Sequence, residues 1–149
     1  MEEELVFEGP LKGKENLLQF IPQRDPMVMM DELVFWDDIK TTSALTITSE
    51  NILSYNSEFT EPGIIENFAQ TMALRIGYHY YLLKQSAPVG YIGSFKRLKI
   101  EELPKLGDRI ETTIEVIHEM FGVTMASGEM KVGEKVIAKI EMKTVVAKE

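Results

Sequence analysis

Apolar residues recur at steps of three, four and seven along one long segment in the middle of the chain. After Ile64, this stripe consists of Ile65, Phe68, Ala69, Met72, Ala73, Ile76, Tyr80 and Leu83. At about 100° per residue these positions share one side, which is typical of an amphipathic helix. Pro62 suits the first helical turn, where a missing N–H is tolerated. The pattern therefore predicts a helix from about Gly63 to Lys84.

Alternating apolar and polar residues predict β-strands on both sides of this helix. Two runs rich in β-branched and aromatic residues precede it, Glu32 to Trp36 and Thr41 to Thr48. The runs that follow it are Tyr91 to Ile100, Arg109 to Phe121, Val123 to Val132 and Lys135 to Ala147. The last two are joined by Gly133-Glu134, which is a signal for a tight hairpin. We therefore expect an α+β fold in which a curved antiparallel sheet with one apolar face wraps the helix.

The segments between these elements predict loops and one short helix. Residues 1–14 are expected to form a short N-terminal arm of a single domain that spans residues 1–149. Asn16 can cap a short helix that runs to Phe20, and Pro22 and Pro26 are expected to hold the residues between them extended. Asn51 to Thr60 shows little periodicity and predicts an irregular polar loop.

The helix has apolar residues away from its main stripe, namely Leu74, Tyr78 and Tyr81. A helix that is apolar on a second side must be covered there as well. The simplest cover is a twin subunit, so we expect at least a dimer.

Composition and charge narrow the classes of function. The chain has 149 residues, of which 44% are hydrophobic and 27% charged, and its formal net charge is −8. The negative charge argues against nucleic acid and anionic membranes as partners. No run approaches the ~18 apolar residues of a membrane helix. The N-terminus is acidic, unlike a targeting segment, so a cytoplasmic location is expected.

The chain contains no cysteine, which excludes disulfides, thiolate metal sites and a cysteine nucleophile. The sequence predicts neither a metal site nor a cofactor. Any chemistry must therefore come from other side chains.

A single carboxylate, Glu66, lies at the edge of the apolar stripe. On a helical projection it shares a flank with Gln70, Ala73 and Gly77, so a carboxylate and an amide border a strip of very small side chains. Small side chains leave room either for a closely packed backbone or for a substrate channel. Glu66 is therefore the first candidate for a catalytic group.

Three segments carry short motifs. The first, Phe20 to Asp31, contains Ile-Pro-Gln-Arg-Asp-Pro. In the second, Pro62-Gly63 leads to Glu66-Asn67-Phe68-Ala69-Gln70. The third, Pro104 to Asp108, is Pro-Lys-Leu-Gly-Asp. Together they resemble the hotdog fold and, within it, the 3-hydroxyacyl-acyl-carrier-protein dehydratases, over about Glu15 to Val146. The family motifs are Leu-Pro-His-Arg-x-Pro, Pro-Gly followed by Glu-x-x-Ala-Gln after a longer gap, and the Pro-x-x-Gly-Asp turn of many hotdog proteins.

This resemblance implies a site at a dimer interface. There, a helix carboxylate of one subunit and a loop histidine of the other face an acyl thioester whose chain enters a tunnel. Glu66 matches the carboxylate, whereas Gln23 stands where the family has histidine. A glutamine amide does not titrate in the useful range, so Gln23 could only orient the substrate. The helix residues expected to bind the substrate are Gly63, Ile64, Phe68 and Gln70.

Three functions stay open on this basis. In a dehydratase, Glu66 would take the α-proton and return it to the departing 3-hydroxyl, while Gln23 holds the thioester carbonyl. In a thioesterase, Glu66 would activate water or attack the thioester, and Gln23 would polarise or orient it. As a non-catalytic or half-site subunit, the chain would bind an acyl carrier or lend Glu66 to a homologue that supplies the histidine. Each function implies an acyl thioester on an acyl-carrier protein or CoA, and an assembly that is a homodimer, a higher oligomer or a heterodimer.

Four other residues are candidates for the second catalytic group. His118 continues an apolar strand face and is expected to be a sheet-end histidine, and His79 is expected to interact with the C-terminal dipole of the helix. Asp25 and Asp31 are the remaining alternatives, although the family's own aspartate at position 31 is usually structural.

Positive charges concentrate in one stretch of this acidic chain. Its basic residues, Lys96, Arg97, Lys99, Lys105 and Arg109, outnumber the nearby acids, Glu101, Glu102 and Asp108. Lys96, Arg97 and Lys99 are the expected contacts for an acidic carrier protein. The alternative interpretation is a solvated strand face.

Overall fold

The computed structural model describes residues 4–146, in which one long helix packs on an antiparallel sheet. The strands are β1 (Leu11–Lys12), β2 (Glu32–Trp36), β3 (Lys40–Thr46), β4 (Ser54–Tyr55), β5 (Glu58–Phe59), β6 (Gly90–Ile100), β7 (Arg109–Met120), β8 (Val123–Val132) and β9 (Lys135–Val146). The helix α1 spans Glu61–Leu82. The predicted α+β arrangement and its long elements are confirmed, and Ala147, expected in the last strand, lies outside the described residues.

The main sheet has seven strands in the order β1-β2-β3-β7-β8-β9-β6. The β8–β9 hairpin closes with Val132 opposite Lys135, as the sequence predicted. Gly133 has a φ of 60° in this turn, a backbone conformation that glycine adopts without a steric penalty. Strand β6 lies at one edge of the sheet. Within residues 4–146, no helix has the length and apolar character needed to span a membrane.

One side of α1 packs against the sheet, because strand alternation turns one face of the sheet inward. Ile64, Phe68 and Met72 of the helix are almost completely buried in this cluster. The sheet contributes Leu45, Ile110, Ile114, Ala126, Met130, Ile137, Ala138, Ile140 and Met142. Burial of this many apolar side chains supplies most of the driving force for folding.

The second apolar side of α1 is covered by the chain itself, not by a twin subunit. Leu74 and Tyr78 are fully buried in a cluster formed with the N-terminal segment and β2. That segment contributes Leu17, Phe20, Ile21, Val28, Met30, Leu33 and Trp36. The cover expected from a second copy was therefore wrong at these two positions. Sequence patterning shows that a face is buried but not which segment buries it.

The short helix predicted from Asn16 is replaced by two single 3-10 turns, Lys14–Asn16 and Leu18–Phe20. The Asn16 side-chain Nδ2 donates to the carbonyl of Lys12 at 2.6 Å, so it does not cap a longer helix. The segment between the two prolines turns instead of running extended, with the Met27 N–H bonded to the Arg24 carbonyl at 3.0 Å.

The predicted loop at residues 51–60 contains the small hairpin β4–β5. The backbone N–H of Thr60 and its hydroxyl both donate to the Leu53 carbonyl, at 3.0 and 2.5 Å. These bonds close the hairpin at the start of α1. Strands of two residues are too short to leave an alternation signal in the sequence.

Candidate active site

Glu66 lies in the first half of α1, half-buried, and one of its oxygens is held by a neighbour on the helix. Gln70, four residues further on, donates from Nε2 to Glu66 Oε1 at 2.8 Å. Residues at this spacing are neighbours on a helix surface, so the shared flank predicted from the sequence is confirmed. Among residues 4–146, Glu66 Oε2 has no hydrogen-bond partner and no cation lies within ion-pair distance.

The Gln70 side chain is completely buried and its orientation is fixed by the loop that follows Pro26. Its Oε1 accepts the Met29 backbone N–H at 2.7 Å, and its Nε2 also donates to the Met27 carbonyl at 2.6 Å. Because the amide oxygen is occupied by an N–H donor, the NH₂ group must face Glu66. The Glu66 Oε1 atom therefore accepts a hydrogen bond, whereas Oε2 has no partner among the described residues.

The same loop is fastened to the helix and the sheet by Asn67. Its Nδ2 donates to the Met29 carbonyl at 2.7 Å, and its Oδ1 accepts the Thr112 hydroxyl at 2.6 Å. Next to it, the Thr71 hydroxyl bonds to the Ser43 hydroxyl at 2.7 Å. These buried groups satisfy one another, which is the usual condition for polar atoms in a core.

Gln23 lies on the loop before Pro26, where Arg24 fixes the backbone. The Arg24 guanidinium donates to the carbonyls of Ile21 and Gln23 at 2.8 and 2.7 Å. Gln23 is half-buried and lines a cavity of about 320 Å³. The lining includes the side chains of Ile21, Ala69, Met72, Ala73, Ile76 and Ile92.

Two residues that line the cavity each have a buried polar atom without a hydrogen-bond partner among the described residues. The atoms are Gln23 Oε1 and Thr144 Oγ1. Thr144 is buried in strand β9, and no role was predicted for it from the sequence. The signal that would have found it is a hydroxyl interrupting an apolar strand face at Met142, Thr144 and Val146, which is common in ordinary sheets as well.

The structure does not bring Gln23 and Glu66 together within one protomer. Gln23 lines the cavity, whereas Glu66 is absent from its walls and bonds to Gln70. No hydrogen bond joins the two side chains in the described part of the chain. Their joint role in one site stays a prediction.

The residues predicted to bind substrate have different surroundings. Ile64 and Phe68 are fully buried in the helix–sheet core, and neither lines the cavity. Gly63 packs so closely on the Phe59 ring that an added Cβ would lie 2.6 Å from it. Gln70 contacts Glu66 and the 27–29 loop. Their role in substrate binding stays a prediction.

The basic residues predicted to bind a carrier lie on the exposed edge strand β6. Arg97 pairs with Glu141 at 2.9 Å, and Lys99 pairs with Glu101 at 3.0 Å. Lys96 has no ion pair within residues 4–146. Opposite charges therefore offset part of the positive charge, and carrier binding stays a prediction.

The four alternative candidates for the second catalytic group lie outside the cavity. His118 is exposed next to a bulge in β7, and His79 is half-buried beside Trp36 with the ring centroids 6.0 Å apart. Asp31 accepts the Thr46 N–H at 2.9 Å, and Asp25 pairs with Lys14 at 2.9 Å. None of the four lines the cavity.

Comparison with known proteins places these features in a family. The sequence profile of the ApeP-like family, described as ApeP dehydratase, matches residues 15–149. The 3-hydroxyacyl-acyl-carrier-protein dehydratase FabZ of Helicobacter pylori is 27% identical over 142 residues, which cover 89% of each chain. The enzyme of the same name from Vibrio atlanticus is 24% identical over 134 residues, covering 86% of this chain and 89% of that protein.

Solved structures share the fold. The dehydratase heterocomplex ApeI:P from Xenorhabdus doucetiae gives a TM-score of 0.81 at 14% identity, covering 89% of this chain and 91% of that chain. A hypothetical thioesterase with coenzyme A from Streptococcus pneumoniae gives 0.65 at 13% identity, covering 79% and 89%. The helix-and-sheet architecture is therefore the hotdog fold that the motifs predicted.

Proposed function

Since this chain belongs to the ApeP-like dehydratase family, we propose that it takes part in removing water from 3-hydroxyacyl thioesters held by an acyl-carrier protein or CoA. The proposed setting is fatty-acid or polyene-type biosynthesis in the cytoplasm. Its relatives of the FabZ group are named for this reaction on acyl-carrier thioesters. The observation that carries the proposal is the Glu66 carboxylate, which has one oxygen fixed by a buried amide and the other unoccupied.

The reaction needs one group that first takes and then returns a proton. Glu66 Oε2 removes the proton from the carbon next to the thioester carbonyl. The electron pair of that C–H bond forms the carbon–carbon double bond, and the C3–oxygen bond breaks. The proton on Glu66 passes to the departing hydroxyl, which leaves as water, so the carboxylate is regenerated. Gln70 supports this step because it keeps Oε1 as an acceptor and leaves Oε2 in a defined position.

The proposed site is completed by a second chain across strand β6. One edge of β6 forms no strand pair among the described residues, and its exposed apolar residues include Tyr91, Ile92, Phe95 and Leu98. Unpaired apolar edges favour pairing with another strand. A second copy would bring Gln23 opposite Glu66, whereas a related chain could bring a histidine. We favour the related chain, because a histidine could assist the proton transfer by Glu66, whereas a glutamine amide cannot exchange a proton near neutral pH.

The experiment is to incubate the purified protein with 3-hydroxybutyryl and crotonyl thioesters of acyl-carrier protein, alone and after co-expression with a histidine-bearing hotdog homologue. We expect loss or addition of water in the co-expressed complex, and a fall of at least about 10²-fold with Glu66→Gln, as for removal of a general acid–base group. Enoyl formation is followed by absorbance and mass spectrometry.

Glu61→Gln is the matched control, since Glu61 is an exposed carboxylate in the first turn of the same helix. It should leave the rate unchanged. Free thiol without an enoyl product would indicate hydrolysis instead. No turnover in either assembly would leave the chain without a catalytic role and end the proposal.

Carrier binding by β6 forms a separate part of the proposal. Lys96→Glu with Arg97→Glu should weaken binding of acyl-carrier protein about tenfold at low salt, because charge complementarity mainly governs encounter of the two proteins. Lys40→Glu with Lys131→Glu changes the net charge equally on other strands and serves as control. Equal affinities for both double variants, measured by calorimetry, would remove β6 as the carrier surface.

A further inference from the structure

A second cavity lies next to the cavity beside Gln23, and one residue, Ile76, lines both. The cavity beside Gln23, which we call the apolar cavity, has a volume of about 320 Å³. The second, which we call the polar cavity, has about 350 Å³, and its polar lining residues are Asp38, Arg75, His79, Tyr80, Glu119 and Thr124. In the part of the chain that the structure describes, no residue other than Ile76 lines both cavities.

The two cavities meet on the inner face of the sheet. Thr144 of β9 lines the apolar cavity, and Thr124 of β8, its direct partner in the strand pairing, lines the polar cavity. Directly opposed residues of two strands have Cβ atoms about 5 Å apart. Along β9, Val146 lines the polar cavity two residues beyond Thr144. The wall between the two cavities is therefore about one side chain thick.

The position of Ile76 on α1 lets its side chain form this wall. Ile76 follows Met72 by four residues and Ala73 by three, so it shares with them the side of the helix that borders the apolar cavity. At the start of β6, a Cβ added to Gly90 would lie 3.7 Å from Ile76 Cδ1. The Ile76 side chain therefore extends from the helix to β6, where glycine contributes no side chain of its own.

We propose that Ile76 is a specificity-determining residue, which ends the apolar cavity and thereby sets the longest acyl chain that the protein binds. The inference rests on the proposed function for the class of ligand, and it adds the residue that selects among acyl chains by their length. A chain that ends before Ile76 gains from the burial of each methylene. A longer chain must displace the Ile76 side chain, which costs free energy in a packed structure.

The polar cavity supplies a second reason for a chain to end at Ile76. Arg75 pairs with Glu119 Oε2 at 3.3 Å, and the Thr124 hydroxyl donates to the same oxygen at 3.0 Å. A methylene that enters a space lined by charged groups displaces water from them, and this desolvation offsets the gain from burial of the chain. Shortening Ile76 should therefore lengthen the accepted chain by a few carbons and not without limit.

The first test measures affinity along a series of saturated pantetheine amides from butanoyl to dodecanoyl, by calorimetry, with the protein in its purified assembly and in the co-expressed complex. These compounds have neither a thioester nor a 3-hydroxyl, so turnover does not contribute. The affinity of the wild-type protein should rise about fourfold with each methylene and stop rising at one chain length.

Variants at position 76 should move this length limit in opposite directions. Ile76→Ala removes three carbon atoms, so it should raise the limit by about two or three carbons and bind the longest compounds about tenfold more tightly than the wild-type protein does. Ile76→Phe should lower the limit. Ile76→Val serves where the alanine variant does not fold, and it should raise the limit by about one carbon.

Ile117→Ala is the matched control, because Ile117 is an isoleucine of β7 that is 61% exposed and lines neither cavity. It should leave the length limit unchanged.

The absence of cysteine from the chain allows a second test that does not depend on affinities. Ile76→Cys introduces a single thiol, and its rate of alkylation by N-ethylmaleimide is measured with each compound at saturation. Compounds at the length limit should slow alkylation about tenfold, because thiol reactivity depends on access, whereas the butanoyl compound should change the rate little. Ile117→Cys should react at the same rate with and without each compound.

Three results would overturn the proposal: an unchanged length limit in the variants at position 76, equal protection of the introduced thiol by short and long compounds, or no binding of any compound. Since neither test measures turnover, a length limit set by Ile76 in an inactive protein would contradict only the proposed dehydration. Dehydration by a protein whose length limit does not move with Ile76 would contradict only this inference.

Discussion

Buried polar side chains on the first half of α1 differ in their hydrogen bonding from two side chains that lie off the helix, beside its second half. In the first half, Asn67, Gln70 and Thr71 are fully buried and each has its hydrogen-bond partners. Beside the second half, the cavity-lining residues Gln23 and Thr144 each have a buried oxygen that lacks a partner among the described residues. Both regions use buried amides and hydroxyls. They differ in whether these groups have hydrogen-bond partners.

This difference separates a structural role from a binding role. A satisfied network rigidifies the fold and fixes whatever is attached to it, which here is Glu66. An unsatisfied group costs stability in the free protein, and a ligand that supplies the missing bond recovers that cost. The network in the first half of the helix therefore fixes Glu66 Oε1, whereas the residues beside the second half include buried oxygens without partners among the described residues.

The largest expected effect contrasts Asn67 with Gln23. Asn67→Leu leaves the Met29 carbonyl and the Thr112 hydroxyl unpaired in the core, and two such losses should lower the free energy of unfolding by about 3 kcal/mol. Gln23→Leu removes a buried atom that has no partner, so it should change the free energy of unfolding by less than about 0.5 kcal/mol or raise it. Urea denaturation measures both values.

Thr41→Val is the control for this pair. It removes an unpaired buried hydroxyl in β3, away from the cavity, and should behave like Gln23→Leu. A loss for Gln23→Leu as large as that for Asn67→Leu would show that Gln23 has a partner in solution. The contrast between the two halves of the helix would then fail.

The sequence alone was sufficient to predict the helix and the long strands. Strands β2 and β8 have the predicted bounds, because alternation depends only on which residues stand next to one another along the chain. The contact between Glu66 and Gln70 followed in the same way from their spacing of one helical turn. These features depend on local geometry, so a single sequence contains them.

Long-range packing explains what the sequence could not supply. The small residues on one flank of α1 were compatible with a close backbone or with a substrate channel, and the structure has a close backbone at one of them and a cavity beside another. At Gly77 an added Cβ would lie 1.8 Å from the Phe20 carbonyl oxygen, so that position admits a backbone. Ala69 and Ala73 line the cavity. Which neighbour arrives at each position depends on the whole fold, and the unpaired Thr144 hydroxyl depends on it as well.

Tyr78 tests whether hydrogen-bond partnering or position along α1 decides how much a buried polar group stabilises the fold. Removing its hydroxyl is expected to lower the free energy of unfolding by about 1 kcal/mol. It is buried in the second half of α1, and its hydroxyl accepts the Glu8 N–H at 2.9 Å. Burial raises the pKa of Tyr78 above its ordinary value of about 10. Its stabilising contribution should therefore be complete below pH ~10 and be lost as the pH rises further, because the unfolded chain ionises first.

Tyr78→Phe should lower the free energy of unfolding at pH 8 and flatten its fall between pH 9 and 11, measured by urea denaturation. Tyr55→Phe, at an exposed tyrosine, should keep the wild-type slope, and identical slopes for all three proteins would show that Tyr78 is not held in its neutral form.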